Sequence, residues 1–488
     1  MATEETLKWK VGLINSAGKY LTAEQFASKV STTGTSLRKK QTWVLESTGE
    51  NDVALKSTYG KYLSFYRNDT ADAASESIGN EQKFELITQD DGRVAIKSVA
   101  HGRYLGEIGG ELSGTKDLGP TNLFTLQLAL HPQINLRNSN RKTYCHLEND
   151  ELHCNEDIPW GYDAMIVLDF HEGRYALRAA NGMYLERTGN LVKAISDDTL
   201  YVLVFRSAQV AFRDCKRKYL TAIGPYAKMQ SRKDTISKDE LFTLEDSHAQ
   251  MSFKASNSKY VSIQGEEVRA NQFSVTDSEI FQLEALDRSD HSGNIKWAVR
   301  SKSMKYWSCS GAGSGIVGNK DSTSDASTHF EVEWLGRYVA LKAYNGKYIT
   351  VKGNGQMVAT SSELGDENKL TFELTNRTLL ALKGEYGFVG KRPGSTSIEC
   401  NRSRYDLFSL ECDSGAYKLK CSNGAYWNLQ GEAIMADGGQ AAIFFIELRA
   451  HTHMCIKAPN GQYIKGIHSG EFMANGGSSV TAATLWEY

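Results

Sequence analysis

Gly18-Lys19-Tyr20-Leu21, Gly60-Lys61-Tyr62-Leu63 and Gly102-Arg103-Tyr104-Leu105 are three renderings of one four-residue element, and the architecture follows from their recurrence. Glycine adopts positive φ at little steric cost, so it suits a tight turn between two strands. The aromatic and aliphatic residues after it suit a half-buried pleated strand. Further copies stand at Tyr184-Leu185, Tyr219-Leu220, Tyr306-Trp307, Tyr348-Ile349, Tyr426-Trp427 and Tyr463-Ile464, with weaker ones at Tyr144, Tyr260 and Phe388. The twelve copies are spaced from 35 residues (Tyr184 to Tyr219) to 46 (Tyr260 to Tyr306).

Two more elements keep step with the first. About 20 residues after each copy comes an apolar run that usually ends in an acid, as in Trp43-Val44-Leu45-Glu46, Phe84-Glu85-Leu86, Phe242-Thr243-Leu244-Glu245, Phe281-Gln282-Leu283-Glu284 and Phe408-Ser409-Leu410-Glu411. Before each copy runs an alternating segment such as Val53-Ala54-Leu55, Val94-Ala95-Ile96, Val210-Ala211-Phe212 or Val339-Ala340-Leu341. Period-two alternation in β-branched and aromatic residues marks strands, and no long 3.6-residue period competes with it. Twelve units exceed the usual four to eight blades of a propeller, and a WD-type signature is absent. Copies four, seven and ten (Tyr144, Tyr260, Phe388) lack the well-formed Gly-x-Tyr turn, a defect with a period of three. Three repeats of about 40 residues with four strands each make a β-trefoil. The expected fold is therefore all-β, four tandem β-trefoils at 1–130, 131–246, 247–376 and 377–488.

The totals narrow the function. Formal net charge is −2 and the pI about 6.6, so no global field draws the chain to nucleic acid or an anionic membrane. No 18-residue apolar run is present to insert in a bilayer, and the first 30 residues hold no apolar signal core. Eight cysteines (Cys145, Cys154, Cys215, Cys309, Cys400, Cys412, Cys421, Cys455) show neither repeating spacing nor a C-x-x-C pair, which points to a reducing cytosol. In that compartment the sequons at Asn68, Asn376 and Asn401 are chance matches. With six prolines and no Gly- or Ser-rich tether, the domains abut through short connections.

Candidate chemical sites are few. Cys145-His146 and His153-Cys154 bracket an acidic stretch and pose a zinc reading, but their spacing matches no zinc pattern. His451, His453 and Cys455 alternate along one expected strand and read as packing residues. Gly311-Ala312-Gly313-Ser314-Gly315 looks like a phosphate loop without the Lys-Ser/Thr that completes one. No G-x-S-x-G elbow or H-E-x-x-H occurs, so no enzyme, metal or cofactor is expected. The rival is a lectin, because trefoils of the ricin type repeat Gln-x-Trp. Here only Gln41-Thr42-Trp43 fits, which reads as a structural tryptophan.

Longer strings carry a resemblance. Gly-Leu-Ile-Asn at 12–15, Lys-Tyr-Leu-Thr-Ala-Glu at 19–24, Ser-Leu-Arg-Lys-Lys-Gln-Thr-Trp at 36–43, Ile158-Pro159-Trp160-Gly161, Lys238-Asp239-Glu240-Leu241-Phe242 and Leu485-Trp486-Glu487-Tyr488 together resemble fascin, from end to end. The resemblance implies a monomeric, cytoplasmic protein that cross-links actin filaments (F-actin) into tight parallel bundles, as in filopodia and similar protrusions. Independently, Lys19, Lys29, Arg38, Lys39 and Lys40 fall near strand ends of the first repeat, where cations suit an acidic filament. The resemblance extends that surface to Arg392, Lys465 and His468, and adds Lys218 and Lys238 in the second trefoil and Lys347 and Lys352 in the third. It also marks Ser36, two residues before Arg38, as the target of a basophilic kinase. A phosphate there brings about −1.5 to −2 charges into the cationic patch. Pro393 beside Arg392, and Tyr386 where relatives carry histidine, depart from the family pattern.

Overall fold

The computed structural model describes residues 9–49, 52–206, 209–286, 295–309, 311 and 315–488. Among them there are strands and eight single-turn 3-10 helices and no α-helix, so none is long and apolar enough to cross a membrane. The first repeat shows how the sequence elements become a fold. Strands Trp9–Ile14, Tyr20–Ala23, Val30–Gly34 and Trp43–Ser47 follow one another, the middle two forming a hairpin. The first strand pairs with the fourth (Val11↔Trp43) and with the last strand of the third repeat (Val11↔Leu128), which closes a barrel. The three hairpins cap one end and meet at Lys29↔Asp72 and Glu111↔Ser31. This is a β-trefoil over Trp9–Leu128.

The same twelve-strand circuit recurs from Gln133 to Asp246, closed by Asn138↔Phe242, and from Gln250 to Leu374, closed by Met251↔Leu374. From Leu379 to Glu487 the plan persists in shorter strands, which split into sheets of three, six and four. All four domains are β-trefoils.

The recurrent tyrosine is a clamp within the sheet. Its hydroxyl donates to a glutamate two strands across the sheet, at 2.7 Å for Tyr62–Glu46, 2.7 Å for Tyr144–Glu245, 2.8 Å for Tyr306–Glu284 and 2.6 Å for Tyr463–Glu447. A cation from the adjacent strand covers the ring: Lys56 stands 4.9 Å from the Tyr62 centroid and Arg137 5.4 Å from Tyr144. Within a trefoil the acid that ends one apolar run is thus the partner of the next tyrosine, and the acid of the last run, such as Glu245, returns to the first tyrosine, Tyr144. The turn before the tyrosine needs a left-handed residue. Gly18 (φ 73), Gly60 (φ 77) and Gly102 (φ 65) supply it, and Lys142 (φ 60), Arg217 (φ 60), Ser258 (φ 63) and Met304 (φ 64) adopt it without being glycine. The missing glycines of copies four and seven are therefore substitutions within a conserved geometry. Copy ten does differ, since Glu385 and Tyr386 form the two-residue loop of a tighter hairpin paired at Gly384↔Gly387.

The chain forms two compact units, residues 1–159 with 163–246, and residues 160–162 with 247–488. Each has one hydrophobic core that runs through two trefoils. The joint inside each unit uses the same device. In the first, the buried Tyr175 hydroxyl accepts from Leu128 N at 2.7 Å, and Trp9 packs edge-on against Phe205 at 5.2 Å. In the second, the Tyr417 hydroxyl accepts from Leu374 N at 3.2 Å and donates to Phe372 O at 3.0 Å, beside the Trp334–Phe372 pair at 5.4 Å. Burial holds both phenols far above the usual tyrosine range. Two trefoils in a unit are fused by core, not tethered.

Candidate functional site

The cation before the tyrosine is a repeat position, held by Lys19, Lys61, Arg103, Lys218, Lys259, Lys305 and Lys347. Its backbone is fixed by the turn: Asn15 Oδ1 accepts from Ala17 N (3.0 Å) and Lys19 N (2.8 Å), and Asp214 Oδ1 does the same for Lys216 N and Lys218 N (both 2.8 Å). The side chain faces the residue just beyond the third strand of its own repeat. Tyr62 pairs with Ser75, Tyr219 with Lys233 and Tyr306 with Lys320, so the facing residues are Glu76, Asp234 and Asp321. Each of these forms an ion pair with its lysine, Lys61, Lys218 and Lys305 respectively.

Elsewhere the facing residue carries no negative charge. Lys347 Nζ donates to Ser362 Oγ at 2.6 Å, and Lys259 covers the ring of Phe273, 2.9 Å from its centroid. Arg103 faces Lys116 and turns to Asp69 at 3.6 Å. For Lys19 the register Tyr20↔Gly34 makes the facing residue Thr35. Lys19 is exposed, and among the described residues no carboxylate pairs with it.

Ser36 to Lys40 follow directly. Since Gly34 pairs with Tyr20, Thr35 and Ser36 come down beside Lys19 at one end of the Tyr20–Gly34 hairpin. Ser36 and Arg38 are half-buried, whereas Lys39 and Lys40 are exposed on the 3-10 turn Lys39–Gln41. Gln41 anchors the turn by donating to Thr22 Oγ1 at 3.0 Å, and Trp43 Nε1 donates to Leu21 O at 3.0 Å. Both anchors lie on the strand that Lys19 introduces, so the two turns are fixed to a common support. Lys40 reaches Glu24 at 3.4 Å, and Lys29, at the opposite end of the hairpin, reaches Glu111 at 2.5 Å. Exposed pairs of this kind contribute about 0–1 kcal/mol, so these cations exchange partners at small cost.

Lys238 occupies in the second trefoil the repeat position of Lys39, on the 3-10 turn Lys238–Glu240. There Ser237 N and Oγ donate to the buried Glu240 carboxylate at 2.9 and 2.6 Å. In the second unit, Lys352 follows the strand Tyr348–Val351, opposite the Lys347 end. Arg392 closes the hairpin Gly387–Lys391 to Ile398–Arg402 and pairs with Glu399 at 3.4 Å. Glu399 bridges to Glu471, and Cys400 N donates to Gly470 O at 3.0 Å. These contacts set the hairpin beside the segment 465–472 that bears Lys465 and His468. Tyr386 lies edge-on to His468, with ring centroids 5.9 Å apart. Tyr386 and Arg392, at opposite ends of the strand Gly387–Lys391, thus belong to a hairpin that lies beside the segment bearing Lys465 and His468.

Other readings of the sequence meet the pleat. Cys145 and His146 are neighbours on a strand, so their side chains leave opposite faces. Cys145 and Cys154 enter the core, and the His146 and His153 rings pair on the other face, 6.5 Å apart. No metal-holding group of three ligands occurs among the described residues. Cys455 is buried, and burial pushes its thiol up to about 11, while His451 lies off the strand and stacks on His248 at 4.9 Å. Trp43 is wholly buried, which closes the Gln-x-Trp reading as a sugar platform. Asn376 is buried, accepting from Gln250 N and donating to His248 O. Of the glycine-rich loop, residues 312–314 lie outside the described residues.

Comparison with known proteins adds the family. The family model described as "Fascin domain" matches residues 17–126, 134–244, 256–372 and 385–488. Fascin-2 of Mus musculus is 38% identical over 99% of this chain and 99% of its own. Fascin of Strongylocentrotus purpuratus is 34% identical over 99% of both, and Fascin-3 of Mus musculus is 26% identical over 98% of this chain and 97% of its own.

Proposed function

The chain belongs to the fascin family, and from that premise we propose that it binds actin filaments and cross-links them into tight parallel bundles as a monomer. It is a cross-linker, not an enzyme, and works in the cytoplasmic actin cytoskeleton of filopodia and similar protrusions. The single observation that carries the reading beyond family membership is Lys19, a turn lysine that faces Thr35, whereas three other copies of the position are neutralised by Glu76, Asp234 and Asp321. The pairing of Tyr20 with Gly34 sets Ser36 beside it at the end of one hairpin, and the turn bearing Arg38, Lys39 and Lys40 follows directly. Bundling needs at least two filament contacts on one molecule, and each compact unit carries its own cations. Lys19, Lys29 and Arg38–Lys40 serve in the first, with Lys218 and Lys238 as a further set. Arg392, Lys465 and His468 serve in the second, with Lys347 and Lys352.

Phosphorylation of Ser36 by a basophilic kinase lowers binding in this scheme. The phosphate supplies, beside Lys19, the negative charge that the repeat has at Glu76 and lacks at Thr35, and it meets Arg38 and Lys39 as well. Electron microscopy of preformed actin filaments mixed with the chain tests the function. Ordered bundles of closely spaced filaments are expected. Filaments left single at every protein ratio would contradict it. Ser36→Glu is expected to thin the bundles and Ser36→Ala to preserve them.

A further inference from the structure

The hairpin of strands Tyr144–Glu148 and Glu151–Glu156 turns through Asn149 (φ 50) and Asp150 (φ 59). Two central residues with positive φ form the tight connection whose twist matches the strands, and it fixes the register. Leu147 faces Leu152, His146 faces His153, and Cys145 faces Cys154. Leu147 N donates outward to Asp163 O and Cys154 N outward to Ala227 O, both at 2.9 Å. Leu147–Leu152 and Cys145–Cys154 are therefore the non-hydrogen-bonded pairs of the ladder. In such pairs the Cα atoms approach to about 4.5 Å and the side chains lie close. That spacing falls inside the range of about 4.4–6.8 Å that a disulfide spans.

Both thiols point into the same core. Cys145 Sγ lies 3.7 Å from Met229 Sδ, and Cys154 Sγ donates to Thr143 O at 3.2 Å. We propose that Cys145 and Cys154 are an oxidation site that hydrogen peroxide converts to a cross-strand disulfide within the second trefoil. The neighbouring Cys145 thiol holds Cys154 below the usual thiol range, while burial raises Cys145. Cys154 is accordingly the nucleophile. Its sulfur attacks one peroxide oxygen, giving Cys154–SOH and, after proton transfer, one water. The Cys145 sulfur then displaces hydroxide from the sulfenic sulfur, and the lost thiol proton makes a second water. Two thiols lose two electrons and two protons, and the peroxide accepts them. The other six cysteines have no such facing partner among the described strand pairs. Exposed Cys215 and Cys412 report that oxidant has reached the protein.

The test uses the full chain treated with hydrogen peroxide, then unfolded, alkylated and digested without reductant. The expected result is one linked peptide pair joining Cys145 to Cys154, which reductant separates and which is missing from Cys145→Ser and Cys154→Ser. Recovery of both cysteines as alkylated thiols, under conditions that oxidise Cys215 and Cys412, would overturn the proposal. So would their recovery as separate sulfinic acids.

Discussion

Thr35→Asp gives Lys19 the partner that its repeat position has at Glu76, Asp234 and Asp321. The backbone is already in register, because Gly34 faces Tyr20 as Lys233 faces Tyr219. Two unit charges about 3 Å apart attract by about 1.4 kcal/mol at the dielectric of water. Ordering two exposed side chains offsets most of that, so stability should move by less than about 1 kcal/mol. Filament binding is a different matter. If Lys19 contributes a contact of about 1 kcal/mol and the new carboxylate occupies it, affinity for filaments falls about fivefold, since about 1.4 kcal/mol is tenfold. Titration of filaments with labelled protein at low salt reads the affinity, and thermal melting reads the fold. Thr35→Asn keeps the shape without the charge and should bind as the parent does. Unchanged affinity for a folded Thr35→Asp would refute the argument that Lys19 matters because it is unneutralised. An equal loss in Thr35→Asn would assign the effect to shape.

Three further outcomes follow from the fold. Glu447 is buried and accepts from Tyr463 and pairs with Lys457 and Arg449, so Glu447→Ala should cost about 3 kcal/mol by leaving the Tyr463 hydroxyl and two half-buried cations without their carboxylate. Glu46→Ala, at a half-exposed version of the clamp, should cost about 1 kcal/mol, and denaturant midpoints separate the two. Gly415 is left-handed (φ 78) and a Cβ on it would strike Arg337 O, whereas Gly424 (φ 87) opens to empty space. Gly415→Ala should therefore lower the melting temperature well beyond the loss of about 1 kcal/mol expected of Gly424→Ala. Burial raises Cys400 and Cys455 to about 11 from an ordinary 9.0. The unfolded chain sheds these protons first, so their contribution is intact below pH 9 and fades as pH rises toward 11. Melting temperature should fall across that window, and less steeply in Cys400→Ala.

The repeat was legible because one turn and one tyrosine recur, and the physics of both is local. The glycine marks a left-handed turn, and period-two alternation marks the strands. The acid ending Trp43-Val44-Leu45-Glu46 was visible, but its partner Tyr62 sits across a strand pair, so its role emerged only with the register. Copies four and seven show the limit of residue identity. Lys142 and Ser258 adopt the left-handed turn without glycine, because the strands on either side over-determine it. Among the basic residues, sequence supplied Lys19, Lys218 and Lys347 as one type. What separates them is the facing residue, Thr35, Asp234 or Ser362, which lies 15 or 16 positions on because the hairpins carry bulges. A fixed offset would have missed it. The pairing of Cys145 with His146 as metal ligands fails on alternation alone, since adjacent strand residues cannot share a face.

The most direct measurement of the central claim is sedimentation of actin filaments with the chain at low and at high centrifugal speed, repeated across salt concentration. The account predicts that filaments pellet at low speed only when the protein is present. It also predicts that several hundred millimolar salt, where screening lengths shrink toward about 3 Å, returns them to the supernatant. Protein that pellets with filaments at high speed alone would contradict the second contact surface. Absence from both pellets would contradict filament binding itself.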